Sequence, residues 1–263
     1  AVSSVRRLAA EFRSSNEKVN RLWQNIVWSN ADNFLWIPTD CPQRNERMGW
    51  SGDLNVFSRT ATYISDSAAF LRRHMRAMRD TQDAEGRFPD IAPVGGGFGG
   101  ILWGAAGIVV PWESYWQYGD LALLEEHYPA MSAYMSHLKK SINPETKLLG
   151  DVRLGDWLGF QNRVLGAEYL AEAYYVWCLD IMARVAELLG KPADAKQYRQ
   201  DYEERKSFFN ATFVSPEKRT LGIPSRAFGA GGGGRGKPEL RLADTQSSYA
   251  VGLALGVFSE DNV

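Results

Sequence analysis

Residues 166–213 read GAEYLAEAYYVWCLDIMARVAELLGKPADAKQYRQDYEERKSFFNATF, and this stretch predicts two helices joined by a very short turn. Apolar residues recur through both halves at the spacing of a helix face. Gly190 and Lys191 separate the halves, and Pro192 stands in the first turn of the second helix, where a missing N–H and a fixed φ are tolerated. The stretch therefore predicts a helical hairpin.

The same pattern continues through the rest of the chain. Helices are also predicted over residues 3–30, 53–80, 103–119, 121–141 and 245–258. Spacings of three, four and seven in the first of these predict one buried helix face, made of Val5, Leu8, Phe12, Val19, Leu22, Trp23, Ile26 and Val27. Gly119 and Asp120 would end one helix and cap the next. No strand-like alternation of useful length appears, so the chain is expected to be all-α.

Loop lengths suggest how the helices are arranged. Short connections fall at 118–121 and 190–192, whereas long loops recur after roughly every second helix, at 31–52, 81–102, 143–165 and 214–242. A succession of hairpins with this alternation would gather the long loops on one face. In an α/α toroid, that face holds the active-site funnel.

Composition limits the partners. Among 263 residues, 30 Lys and Arg balance 31 Asp and Glu, so no net field would attract nucleic acid or an anionic membrane, and an uncharged substrate is expected. Two cysteines and three scattered histidines are too few for a zinc site, so no metal or other cofactor is predicted. No apolar run reaches the length of a membrane span or forms a signal-peptide core. The compartment is left open.

Polar chemistry is concentrated between Asp40 and Asp53, which read DCPQRNERMGWSGD. Three carboxylates, two guanidiniums and Trp50 surround Pro42 and two glycines, which argue against one continuous helix. Neighbouring carboxylates and apolar rings can keep one carboxyl protonated for acid chemistry on a glycosidic bond. Taken alone, Asp53 and Arg47 are better explained as a helix cap and a surface ion pair, but this explanation fits Glu46 poorly.

Two other loops carry aromatic and acidic residues. Trp103 follows a glycine run over 95–100 that lacks the spacing and the Lys-Ser/Thr ending of a phosphate loop. Asp156 and Trp157 repeat the pairing of carboxylate and indole between Gly155 and Gly159, where glycines let the backbone approach a ligand. A capped turn with a buried indole is an equally good reading of that pair.

The motif from Asp40 to Arg47, followed by Gly49-Trp50 and Gly52-Asp53, resembles the acidic signature of bacterial α-L-rhamnosidases of glycoside hydrolase family 78. Four later stretches are similar to the same family in the same order: 109–112, 118–120, 155–158 and 245–250. The resemblance implies a catalytic (α/α)6 barrel, the six-hairpin toroid. It also implies an inverting hydrolase that removes terminal α-L-rhamnose from glycosides or plant polysaccharides.

The resemblance also implies roles for individual residues. Glu46 matches the general acid. Asp40, Arg44 and Asp53 match residues that bind sugar hydroxyls. Trp50, Trp103 and Trp157 match the aromatic walls of the rhamnose pocket, and Asp156, next to Trp157 in the sequence, is a further candidate for substrate binding. Apolar walls suit rhamnose because its C6 is a methyl group. Two residues depart from the family pattern: Asn45 and Ala105 stand where Asp is usual.

The general base is expected beyond Val263, because an inverting mechanism needs a second carboxylate that the resemblance places later in the barrel. Residues 1–263 are accordingly expected to form one catalytic α/α-barrel domain, truncated on its C-terminal side and without flanking β-sandwich domains. The remainder of the same enzyme would be its partner. Two alternatives stay open: another toroid glycosidase, fucosidase- or glucosidase-like, and a carbohydrate-binding relative without catalysis.

Overall fold

The computed structural model describes residues 3–5, 7–155, 165–217, 219–224 and 240–262. Its helices are α1 (Glu17–Asn33), α2 (Ser51–Ile64), α3 (Ala68–Asp80), α4 (Ile101–Gly104), α5 (Ala106–Tyr118), α6 (Leu121–Lys140), α7 (Ala167–Leu188), α8 (Pro192–Phe213) and α9 (Gln246–Ala254). Three short strands follow α8, namely β1 (Val214–Ser215), β2 (Thr220–Pro224) and β3 (Leu240–Leu242), and a 3-10 turn covers Glu260–Asn262. Within these residues no helix is long and apolar enough to cross a membrane.

The chain divides into two compact units. The first contains residues 1–99 and 103–137, and the second contains residues 100–102 and 138–263. In the first unit, α5 packs against α2 and α3. Its core includes Leu71 and Met75 of α3 and Ile108 of α5, all of which are fully buried.

The hairpin predicted over 166–213 forms the main helix pair of the second unit. Helices α7 and α8 pack against each other, Gly190 adopts φ +65°, and Pro192 is the first residue of α8. Gly119 likewise ends α5 at φ +67°, and Asp120 Oδ1 accepts a hydrogen bond of 3.0 Å from the Leu123 N–H at the start of α6. Both predicted helix junctions are confirmed.

The first predicted helix was wrong in extent and in burial. Helix α1 begins only at Glu17, because the Asn16 side chain caps the N–H groups of Lys18 and Val19. Before it, Leu8 forms an isolated antiparallel bridge with Ser65 at the end of α2, and the Ala9 N–H donates to Ile64 O at 2.9 Å. The predicted buried face is largely open to solvent: Leu22, for example, is 57% exposed.

The sheet was also missed. Strands β1, β2 and β3 pair antiparallel in that order, within residues predicted as loop 214–242. The strands have two, five and three residues, which is too short for alternation to stand out in the sequence.

His74 on α3 makes the first unit sensitive to acid. It is 1% exposed, and neither ring nitrogen has a hydrogen-bond partner among the described residues. Burial, aided by the charge of Arg73, lowers its pKa to about 3. Unfolding returns the pKa to its ordinary value near 6.5, so the unfolded chain binds an extra proton between these values and stability falls as the pH falls through that window.

Replacing His74 with leucine removes this proton site and leaves a buried apolar side chain. The free energy of unfolding of the variant, relative to that of wild type, should be about 2 kcal/mol higher at pH 5 than at pH 7. The reason is that each pH unit below 6.5 costs the wild type about 1.4 kcal/mol. Urea unfolding at the two pH values measures this. Met75→Leu, a substitution at the adjacent buried position, should leave the pH dependence of stability as it is in wild type. If His74→Leu also kept the pH dependence of wild type, His74 would not be the source of the acid sensitivity.

Candidate active site

The loop before α2 is closed by its own hydrogen bonds. The Asp40 N–H donates to Met48 O, the Met48 N–H donates to Asp40 Oδ1, and both distances are 3.1 Å. Arg47 lies between them with φ +52°, a left-handed conformation that is uncommon for a residue other than glycine. These features bend residues 40–48 into a compact turn in which Asp40, Arg44 and Glu46 come together.

Glu46 is held from two sides. The Trp50 Nε1–H donates to Glu46 Oε1 at 2.8 Å, and the Arg44 guanidinium forms an ion pair with Oε2. The Glu46 side chain is 28% exposed, so solvent or a ligand can still reach it. The carboxyl group is therefore oriented without being enclosed.

Asp53 lies in the first turn of α2 and belongs to the same acidic group. The residue as a whole is exposed, yet the protein atoms around its carboxyl group partly desolvate it, and this is the largest cause of a raised pKa. The negative charges of Asp40 and Glu46 raise the Asp53 pKa further, and a hydrogen bond from its own backbone N–H opposes the rise.

Trp50 is fixed through its backbone. Gly49 O accepts from the Ala92 N–H at 3.0 Å, and the Ser51 N–H donates to Asp90 O at 2.8 Å, which pairs this segment with the loop after α3. A Cβ at Gly49 would lie 2.1 Å from Ala92 O, so only glycine allows this approach. The pairing sets the position from which the Trp50 indole reaches Glu46.

Two more aromatic rings border the turn. Phe98 packs edge-on against Trp50, with ring centroids 5.4 Å apart, and is 58% exposed. The Trp103 indole packs on the backbone of Gly52 and Gly99, where a Cβ would lie 2.6 Å and 2.2 Å from its ring atoms. The structure thus brings Trp50 and Trp103 to the segment that carries Glu46 and Asp53. Phe98 was not predicted, although it stands within the glycine run.

Asp90 supports this arrangement and was also missed. Its carboxylate is fully buried, accepts from Arg87 at 3.0 Å on each oxygen, and accepts from the Gly99 N–H at 2.7 Å. A Cβ at Gly97 would lie 2.4 Å from Asp90 Cβ, so the glycine run folds closely around this side chain. The sequence feature that could have indicated Asp90 is the position of this acidic residue between Arg87 and the glycine run.

Asp156 and Trp157 lie outside the described residues. Asn45 is exposed on the turn, whereas Ala105 is fully buried between α4 and α5. A carboxylate at position 105 would therefore have to be paired inside the protein, but one at position 45 would be solvated.

Three potential metal ligands also meet in the turn. One ligand atom each from Asp40, Cys41 and Glu46 lie within 4.8 Å of one another. The Arg44 guanidinium contacts this group, since it pairs with Glu46 and its Nη2 donates to Cys41 Sγ at 3.1 Å. A positive charge from the protein itself thus already balances these acids.

Helical hairpins that support a loop of carboxylates and indoles define the class of six-hairpin glycosidases. Residues 7–263 match the family model for the bacterial alpha-L-rhamnosidase 6 hairpin glycosidase domain, and the chain belongs to this family. The predicted all-α fold class and the predicted family are both confirmed.

Named relatives agree with this assignment. An alpha-L-rhamnosidase of Streptomyces avermitilis is 34% identical over 249 residues, which cover 94% of this chain and 22% of that protein. A crystal structure of Streptomyces avermitilis alpha-L-rhamnosidase complexed with L-rhamnose superposes with a TM-score of 0.80 at 31% identity, covering 99% of this chain and 23% of the other. An alpha-L-rhamnosidase from Dictyoglumus thermophilum gives a TM-score of 0.84 at 30% identity, covering 100% and 28%. The chain thus spans about a quarter of the length of these relatives.

Proposed function

We propose that this protein is part of a glycoside hydrolase that releases terminal α-L-rhamnose, with Glu46 as the general acid. The observation that carries the proposal is the placement of Glu46. Its carboxyl is oriented by the Trp50 indole N–H, stays open to a ligand, and lies in a turn that also contains Asp40 and Arg44, with Asp53 nearby at the start of α2. Family membership and the names of the relatives support rhamnose as the sugar.

In the proposed reaction, Glu46 gives its proton to the glycosidic oxygen as the bond between that oxygen and C1 of the sugar breaks. A water molecule attacks C1 from the opposite face and gives its proton to a second carboxylate. In inverting enzymes the two carboxyl groups lie about 6.5–9.5 Å apart, which leaves room for this water. We assign the second carboxylate to a part of the enzyme outside residues 1–263, in keeping with the quarter of its relatives that the chain spans.

The sugar itself would be held by polar and apolar groups on either side of Glu46. The carboxylates of Asp40 and Asp53 can accept hydrogen bonds from its hydroxyl groups and the Arg44 guanidinium can donate to them, as charge-assisted hydrogen bonds. Trp50 and Trp103 offer flat apolar faces, against which the methyl group of rhamnose would be removed from water. Asp156 and Trp157 remain proposed contacts of the sugar as well.

The larger arrangement follows from the same proposal. Residues 1–263 would form the first part of one catalytic α/α-barrel domain, and the rest of the barrel and any β domains would be supplied by the same enzyme. The match over residues 7–263 and the small share of each relative that it covers support this organisation.

A panel of 4-nitrophenyl glycosides tests the sugar assignment on the complete enzyme. We expect the α-L-rhamnoside to be hydrolysed, with kcat/KM about 100-fold above that of the matched α-L-mannoside, which differs only by a hydroxyl on C6, because apolar pockets discriminate against an added hydroxyl to about this extent. Preference for an α-L-fucoside or a glucoside would point to another toroid glycosidase. Calorimetric binding of rhamnose without any hydrolysis would point to a non-catalytic relative.

A further inference from the structure

Cys41 lies in the centre of the proposed site, and the reaction above gives its thiol no role. It is a free, half-buried cysteine. Its Sγ and one oxygen each from Asp40 and Glu46 lie within 4.8 Å of one another, and Arg44 Nη2 is 3.1 Å from Sγ. The thiol therefore touches or adjoins three groups to which the proposed function assigns roles.

The chemistry of these groups fixes the direction of the hydrogen bonds. A guanidinium has only donors, so Cys41 Sγ must be the acceptor from Arg44. The S–H is then free to point at the Asp40 carboxylate. A hydrogen bond to Asp40 is the largest cause of the raised pKa of the Cys41 thiol, and the Arg44 contact acts against it. The thiol keeps its proton near neutral pH and can bridge the two residues.

Arg44 needs such support because little else restrains it. Its side chain is 59% exposed, and the same Nη2 atom that contacts Cys41 Sγ pairs with Glu46. A long exposed side chain gains rotamer freedom when a contact is removed. Loss of the thiol would therefore loosen the guanidinium and, with it, one of the two groups that orient the Glu46 carboxyl.

We propose that Cys41 is a positioning residue of this active site. Its thiol holds the Arg44 guanidinium against Glu46 and sets the distance between that guanidinium and the Asp40 carboxylate. The inference rests on the proposed function, in which Asp40 and Arg44 hold the sugar and Glu46 donates the proton. Cys41 itself contacts no substrate in this account.

The test is a double-mutant cycle in the complete enzyme, with kcat and KM measured on 4-nitrophenyl α-L-rhamnoside. Cys41→Ala should lower kcat/KM about tenfold, as expected for the loss of a hydrogen bond to a charged group, while Cys41→Ser, which keeps a donor and an acceptor, should retain most of it. In an Arg44→Lys background, Cys41→Ala should cost less than about twofold further, because the two residues act together. Additive effects, or wild-type kinetics for Cys41→Ala, would overturn the proposal.

Chemical capping gives a second readout that does not depend on whether the alanine variant folds. Methyl methanethiosulfonate converts an accessible thiol to its methyl disulfide. Wild type should lose activity, recover it with dithiothreitol, and be protected by L-rhamnose, whereas Cys41→Ser should be unaffected. Full activity of wild type with Cys41 shown by mass spectrometry to be capped would also overturn the proposal. If wild type hydrolyses no rhamnoside at all, the proposed function fails instead.

Discussion

Replacing Glu46 with glutamine in the complete enzyme is expected to reduce turnover of methyl α-L-rhamnoside by about 10²–10⁴-fold, the usual contribution of a positioned acid. Glutamine has nearly the same shape and can still accept from the Trp50 Nε1–H, so the turn should be preserved. It cannot give up a proton to the leaving oxygen. The loss should therefore appear in kcat, with little change in rhamnose affinity measured by calorimetry.

Glu85→Gln is the matched control for this experiment. Glu85 is an exposed carboxylate of the first unit, in the turn before the segment that pairs with Gly49. The control should keep wild-type turnover. Near-normal turnover by Glu46→Gln would refute the assignment of Glu46 as the general acid. Asp53, whose carboxyl group has a raised pKa, would then be the next candidate for that role.

Arg205→Met is expected to lower the free energy of unfolding by about 3–5 kcal/mol, because it leaves a buried carboxylate without its counter-charge. Arg205 donates to Glu172 through Nε at 3.0 Å and through Nη2 at 2.6 Å, and its Nη2 also donates to Lys147 O at 2.7 Å. The Glu172 side chain is fully buried and also accepts from the Leu149 N–H at 2.6 Å. Burial raises the pKa of Glu172, and the charge of Arg205 opposes that rise.

The control makes the same substitution at an exposed ion pair on α7. Arg184 donates to Asp180 at 2.8 Å, but its side chain is 52% exposed, so Arg184→Met should cost less than about 1 kcal/mol. Urea denaturation followed by circular dichroism measures both variants. Equal losses for the two would show that the Glu172–Arg205 pair contributes no more than a surface contact.

Local signals in the sequence predicted the helix junctions, although the single helix expected over 53–80 is divided at residues 65–67 into α2 and α3. The junctions at Gly119-Asp120 and Gly190-Pro192 depend only on glycine at positive φ, on capping side chains and on proline at a helix start. Each of these is decided within a few residues, so it can be read without knowledge of tertiary structure.

Where tertiary contacts decide, the sequence was insufficient. The apolar spacing of residues 3–30 suggested one helix, but the N–H groups of Ser4 and Ala9 instead donate to the distant backbone carbonyls of Phe34 and Ile64. The Glu172–Arg205 pair joins residues 33 positions apart on two helices, and no local pattern marks it. Hydrophobic periodicity predicts which residues can share one face of a helix, but only the tertiary fold determines whether other elements bury that face.

The site shows the same division. The density of charges between Asp40 and Asp53 predicts a candidate site in this segment, and the structure brings Asp40, Arg44, Glu46, Trp50 and Trp103 together there. Asp90 and Phe98 were missed because their roles depend on how the glycine run folds back on Arg87 and Trp50. Cys41 was missed because a single cysteine gives no pattern of its own.

If Glu46 supplies the proton to the leaving group, the rate lost on its replacement should depend on the acidity of that leaving group. 2,4-Dinitrophenolate is a good leaving group and departs without being protonated, whereas the methoxy group needs a proton and leaves as methanol. We expect Glu46→Gln to slow hydrolysis of the methyl rhamnoside by about 10²–10⁴-fold but that of the 2,4-dinitrophenyl rhamnoside by less than about tenfold. An equal loss on both substrates would contradict this role of Glu46.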